Sequence, residues 1–131
     1  MKTLNDYVEK AQTKMFDKYN VFFAFGSIES SDKYVEGVEY VSMGHGMICP
    51  KEHAQTVLEE MTAGYDNAIE ARIKDYGIDR IIQYELGNYE SQISMDYDDA
   101  FRVLQDYGVT EEKMIEQFRI YMDYCREHDL F

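Results

Sequence analysis

Five side chains in this sequence can bind a soft metal or serve as nucleophile and base. They fall into two groups, His45, Cys49 and His53, then Cys125 and His128. Cys49 and His53 are four apart at an expected helix start. Cys125 and His128 are three apart on an expected helix, so each pair can project to one side. Together they have the donor set of a Cys2His2 zinc site. Neither pair has a zinc-finger spacing, however, and Cys125 lies on the apolar stripe of its helix, where a cysteine behaves as a small core residue. No metal and no cofactor are expected, and the spacing leaves open whether Cys49, His53, Cys125 and His128 converge.

Other combinations carry weaker chemistry. Cys49 precedes Pro50, and free N–H groups at a helix start favour a thiolate, with His45 or His53 as the base. No acid stands at a spacing that would orient that base, so a buried structural cysteine at a strand end is the expectation. Gly44-His45-Gly46 ahead of a helix resembles an anion-binding loop, but only Lys51 follows, and a tight turn explains the glycines. Glu85, Asn88, Tyr89 and Glu90 gather around Gly87, and paired carboxylates there suit acid–base work or a hard cation.

The elements that must position these residues can be read from periodicity. Leu4 to Tyr19 repeats apolar residues at helical spacing, and Asn20 stops it. Val21-Phe22-Phe23-Ala24-Phe25 reads as a strand buried on both faces, Val38 to Met43 as a second strand, and Met47-Ile48-Cys49 as a third. Pro50 is the only proline and suits the first turn of a helix running to Tyr76. Ala54, Val57, Leu58, Met61, Tyr65, Ala68, Ile69, Arg72 and Tyr76 lie along one side of that helix. Gly77 ends it, Asp79 caps the next, and Ile78, Ile82, Leu86, Tyr89 and Ile93 continue a stripe. Tyr97 to Tyr107 forms a short helix closed by Gly108. Thr110 caps the last, whose Met114, Ile115, Phe118, Tyr121, Met122 and Cys125 face inward. Asp75-Tyr76-Gly77-Ile78-Asp79 and Asp106-Tyr107-Gly108-Val109-Thr110 repeat one piece of turn chemistry.

This is an α+β chain, read as one domain over residues 1–131: an N-terminal helix, a small antiparallel sheet of two or three strands within 20–49, and a helical C-terminal part packed on it. Its 131 residues and 45% hydrophobic content are enough for a core. Many of the 12 tyrosines are expected at the core's edge, ring inward and hydroxyl outward.

Charge narrows the partners. Acidic residues number 26 against 13 basic ones, for a net charge of −13. The excess is concentrated: residues 55–131 carry 18 acids and 7 bases. Such a chain is repelled by nucleic acid and by anionic membranes and attracted to basic protein surfaces. With no apolar run of signal-peptide or membrane-span length, a cytoplasmic location and reduced thiols are expected.

The order of Val21 to Phe25, then Val41-Ser42-Met43-Gly44-His45-Gly46 leading to Cys49-Pro50-Lys51, then Tyr65-Asp66-Asn67-Ala68-Ile69 and Ile81-Ile82 leading to Glu85-Leu86-Gly87-Asn88-Tyr89-Glu90, resembles an uncharacterised family of small acidic proteins carried by bacteriophages and bacterial mobile elements. The resemblance covers about residues 20–120 and implies a phage or mobile-element origin in a bacterial host cell, without implying an activity. His45 stands where the family pattern has a small residue and His53 where it has no fixed histidine, which makes both poor candidates for a shared mechanism.

The functional expectation is an acidic protein, not an enzyme, that binds and modulates a host protein, in the manner of a counter-defence inhibitor that mimics nucleic acid. Its contact residues are Tyr84, Glu85, Asn88, Tyr89, Glu90, Asp96, Tyr97, Asp98 and Asp99, where acids and tyrosines interleave. The alternative is a small-molecule- or metal-binding protein, including an enzyme, built on the Gly44–Cys49 loop with Glu85, Asn88 and Glu90.

Overall fold

A computed structural model describes all residues, 1–131. The architecture is α+β, as the periodicity predicts. Its helices are α1 (Leu4–Tyr19), α2 (Ala54–Tyr76), α3 (Ile78–Asn88), α4 (Ser91–Ser94), α5 (Asp98–Leu104) and α6 (Glu111–Glu127). Its strands are β1 (Phe22–Phe23), β2 (Tyr40–Gly44) and β3 (Met47–Pro50). The fold forms two compact units, Lys2–Ala68 and Ile69–Phe131 with Met1, the boundary falling inside α2.

In the N-terminal unit, α1 starts with a capping box: the Asp6 N–H donates to the Thr3 hydroxyl and the Thr3 N–H to the Asp6 carboxylate. Asn20 ends the helix in the left-handed conformation, which asparagine tolerates well. The sheet is antiparallel in the order β1-β3-β2, with a bulge between Ser42 and Gly44. His45 and Gly46 form the hairpin turn, both with positive φ, as a primed turn requires. Met15, Val21, Met47, Cys49 and Val57 make the core of this unit.

Two sequence expectations fail here. Burial on both faces belongs to β3, the central strand, and not to Val21–Phe25. The latter run pairs only at Phe22 and Phe23, at the sheet edge, and leaves Phe25 86% exposed. Pro50 is the last residue of β3, not the first of a helix: its φ of −54° suits either state, but its ψ of 131° is extended. A single 3-10 turn at Lys51–His53 intervenes before α2.

In the C-terminal unit, Ile81, Ile82, Leu86, Leu104 and Met114 are wholly buried. Each such side chain contributes about 1.5–3 kcal/mol of transfer free energy. Gly108, in the left-handed conformation, closes the turn after α5, and the Thr110 hydroxyl caps α6 by accepting from the Lys113 N–H. The matching turn at Gly77 is tighter. The Gly77 N–H donates to the Ile73 carbonyl and its own carbonyl accepts from Ile81 N–H, so one residue both closes α2 and opens α3. Gly77 therefore occupies the cap position expected of Asp79, whose carboxylate instead meets Lys113 at 2.7 Å.

Three of the expected apolar stripes are narrower in the structure. Leu58 and Tyr65 on α2 are exposed, as are Tyr89 and Ile93, because α3 stops at Asn88 and the helical phase is lost. On α6, Ile115 is exposed while Gln117 is buried. The Gln83 amide donates to both the carbonyl and the side-chain oxygen of Gln117, which makes burial of that amide tolerable.

Candidate interaction surface

The segment joining α3 to α5 is built from two reversals around a single helical turn. Tyr89 and Glu90 N–H groups donate to Glu85 and Gly87 carbonyls, ending α3. Glu90, at φ 50° and ψ 45°, then turns the chain into α4, and Met95, at φ 62° and ψ 26°, turns it out again. Non-glycine residues in this region cost on the order of 1–3 kcal/mol each and persist where the surroundings hold them. The hold is visible beneath the turn. Ser91 is buried, and the Gln92 side chain accepts from the Tyr121 hydroxyl while donating to the Leu130 carbonyl at 3.2 Å. Burial, then the Cys125 thiol and the Glu90 charge, push the Tyr121 phenol up to about 12, so it stays a donor at neutral pH. The Asp98 N–H donates to the Asp96 carboxylate, setting the start of α5.

What this scaffold displays is acidic and apolar together. Asn88, Tyr89, Glu90, Asp96, Asp98 and Asp99 are exposed. Beside them Ile93 and Met95 are 59% and 62% exposed. The sequence reading missed Ile93 and Met95 as surface groups; the signal was Gly87, which marked where the stripe would break. From Ile81 to Phe101 the chain has no lysine or arginine. Residues 69–131 as a whole carry 15 acids and 7 bases, a net charge of −8.

Three expected contact residues are placed differently. Tyr97 is half-buried, its ring packed on Phe101 and Phe118 and its hydroxyl donating to Glu111. Burial, then Glu111 and Asp98, raise its pKa. Glu85 is only 8% exposed and faces Arg72, itself 2% exposed, at 3.3 Å. Arg72 also donates to the Tyr107 hydroxyl at 2.8 Å and lies over the half-buried Tyr84 ring. Burial alone would lower the Arg72 pKa; the Tyr107 hydroxyl and the Glu85 charge outweigh it and the net shift is upward. Glu85 and Tyr84 thus belong to a buried ionic cluster, leaving the surface to Asn88, Tyr89, Glu90 and the three aspartates. The pairing was legible: Arg72 sat on an apolar stripe, and a buried arginine requires an acid.

The remaining candidates are spread apart. No group of three or more His, Cys, Asp or Glu side chains is gathered as a metal would need. Cys49 is buried, its thiol donates to the Pro50 carbonyl at 3.3 Å, and burial pushes its pKa up. That is the opposite of an activated nucleophile. Cys125 is also buried, and His128 lies beyond α6, stacked on Tyr124. A groove of about 260 Å³ between α1 and α2 is lined by Val8, Ala11, Met15, Met61 and Gly64, with Glu60 among the few polar groups. No helix is long and apolar enough to cross a membrane.

A family model described as a family of unknown function, DUF7659, matches residues 4–126. No curated protein and no solved structure matches the chain.

Proposed function

The chain belongs to the family of unknown function DUF7659, and we propose that it is a non-catalytic binding protein of phage or mobile-element origin that docks on a basic surface of a host protein. It occupies that surface in place of nucleic acid and so modulates the host protein. One observation carries the reading: the exposed segment from Asn88 to Asp99 bears Glu90, Asp96, Asp98 and Asp99, inside a stretch of chain without a single lysine or arginine. Such a face attracts cationic partners over distances of about 8 Å at physiological salt and repels nucleic acid and anionic lipid.

The alternative, a ligand or metal site on the Gly44–Cys49 loop with Glu85, Asn88 and Glu90, loses two of its parts. Glu85 is held by Arg72, and the loop is a hairpin turn whose cysteine is buried and protonated.

The test is capture of the bound host protein followed by kinetics with the purified pair. Association slows markedly as salt rises, while dissociation changes less. Reversal of Asp96, Asp98 and Asp99 to lysine slows association more than reversal of Glu9 and Asp17. Binding indifferent to salt and to the triple reversal would leave acidity as a solubility device alone.

A further inference from the structure

Acidity alone does not explain why Ile93 and Met95 stand out from the same segment. Isolated exposed apolar residues are ordinary, but these two are large, lie in one turn, and are held there by left-handed backbone at Glu90 and Met95. The Gln92–Leu130 hydrogen bond adds Leu130, also exposed, to the same neighbourhood. Tyr89 enters from the end of α3. These apolar side chains share the segment with the carboxylates of Glu90, Asp96 and Asp98, while Asp99 is already paired with Arg102 at 3.1 Å, and apolar groups beside unneutralised acids ask for a partner with the complementary pattern.

We infer that the exposed residues Tyr89, Ile93, Met95 and Leu130, with the carboxylates of Glu90, Asp96 and Asp98, dock a cationic amphipathic helix of a partner protein, whose cations also compete with Arg102 for Asp99. The inference rests on the proposed binding function and names the partner's chemistry. The helix lays its apolar stripe over Ile93 and Met95, and its flanking lysines or arginines meet the aspartates. Methionine suits this role because its unbranched thioether adapts to different apolar surfaces. Charge selects among the possible occupants. A second copy of this chain would bring carboxylates against carboxylates, and an anionic membrane or nucleic acid would be repelled. Because the turn is already held by Ser91, Gln92 and Tyr121, little ordering is needed when the partner arrives, which favours affinity.

The probe is a synthetic peptide of about 18 residues, leucine and lysine at helical i, i+3, i+4 spacing. It is compared with a peptide of the same composition whose leucines are spread around the helix. Affinity for the full chain is read by fluorescence anisotropy, with circular dichroism confirming that each variant folds. The patterned peptide binds about tenfold more tightly than the spread one. I93S with M95N abolishes that preference and leaves the affinity for the spread peptide unchanged; asparagine at 95 keeps the left-handed backbone accessible. D96N/D98N/D99N weakens both peptides. Equal binding of the two peptides by the native chain overturns the inference, as does a preference that survives I93S/M95N. Recruitment to anionic vesicles, or self-association removed by I93S/M95N, overturns it in favour of a lipid or a second copy. If D96N/D98N/D99N binds both peptides as the native chain does, the acidic docking reading itself fails. A native chain that loses only the pattern preference leaves that reading intact.

Discussion

The units Lys2–Ala68 and Ile69–Phe131 hold similar lengths of chain but spend their apolar residues differently. In the first, α1 buries only Met15, and the sheet edge leaves Phe23 and Phe25 exposed. In the second, α3, α5 and α6 interlock around wholly buried Ile81, Ile82, Leu86, Leu104 and Met114. Yet the second unit also has Glu90 and Met95 held left-handed in one short segment and a buried Arg72–Glu85 pair. The difference teaches where strain can be kept. The N-terminal unit also holds left-handed residues, but at Asn20, which tolerates that conformation, and at His45 in a hairpin turn, whereas the C-terminal unit holds two residues that rarely adopt it, Glu90 and Met95, within one short segment. The C-terminal unit therefore combines the larger set of wholly buried side chains with the exposed Ile93 and Met95.

The largest effect is expected at the buried pair. Arg72→Met strands the Glu85 carboxylate in the core and lowers stability by about 3–5 kcal/mol in urea unfolding. Adding Glu85→Leu recovers most of the loss, since two apolar groups replace two charges. If the single and double variants are equally unstable, Arg72 acts through packing and not through charge.

A smaller effect follows from Tyr121. Its folded-state pKa of about 12 lies above the ordinary 10.0, so the phenol is protonated in both states at neutral pH. As pH rises past 10.0 the unfolded chain loses this proton before the folded one, and stability falls until pH reaches about 12. A shift of that size corresponds to a loss on the order of 2–3 kcal/mol. Tyr121→Phe flattens this alkaline slope and is less stable at neutral pH, because Gln92 loses its donor. An unchanged slope would show that other groups govern the alkaline transition.

In the N-terminal unit the sharpest expectation is kinetic. Cys49 reacts with iodoacetamide in the native chain at least about tenfold more slowly than in urea, because burial keeps its thiol protonated and shielded. Fast native alkylation would mean that the β3 end opens readily. Smallest of all, Phe25→Ser changes stability by less than about 0.5 kcal/mol, since the ring is already in solvent. A larger loss would mean that the ring's position over Gly46 matters, where a side chain would collide with it.

How far the sequence carried the fold depends on how long each periodic signal ran. The helices from Leu4, Ala54 and Glu111 are legible because a dozen or more residues repeat the same face, with Asn20 and Thr110 marking ends; the Thr3 capping box is seen only in the structure. Short signals failed. Val21–Phe25 looked like a central strand because an apolar run does not say which strand the sheet places inside. The stripe from Ile78 to Ile93 was extended across Gly87, and the reversal at Glu90 was invisible, since glutamate rarely adopts the left-handed conformation. The same blind spot puts Tyr89 and Ile93 on the core stripe and leaves Met95 unread, whereas Glu90, Asp96, Asp98 and Asp99 lie exposed. Glu85 departs in the other direction: the acid–tyrosine pattern predicts it at the surface, but its place on the inward face of α3 with Ile81, Ile82 and Leu86 pairs it with Arg72.

The central claim is that the Asn88–Asp99 segment is a charge-steered contact for a cationic partner. Its most direct test is the association rate of the patterned leucine–lysine peptide across a series of salt concentrations, for the native chain and for D96N/D98N/D99N. A steep fall with salt is expected for the native chain and a much shallower one for the variant. Two parallel curves would contradict it, because the attraction would then come from the chain's overall charge and not from this surface.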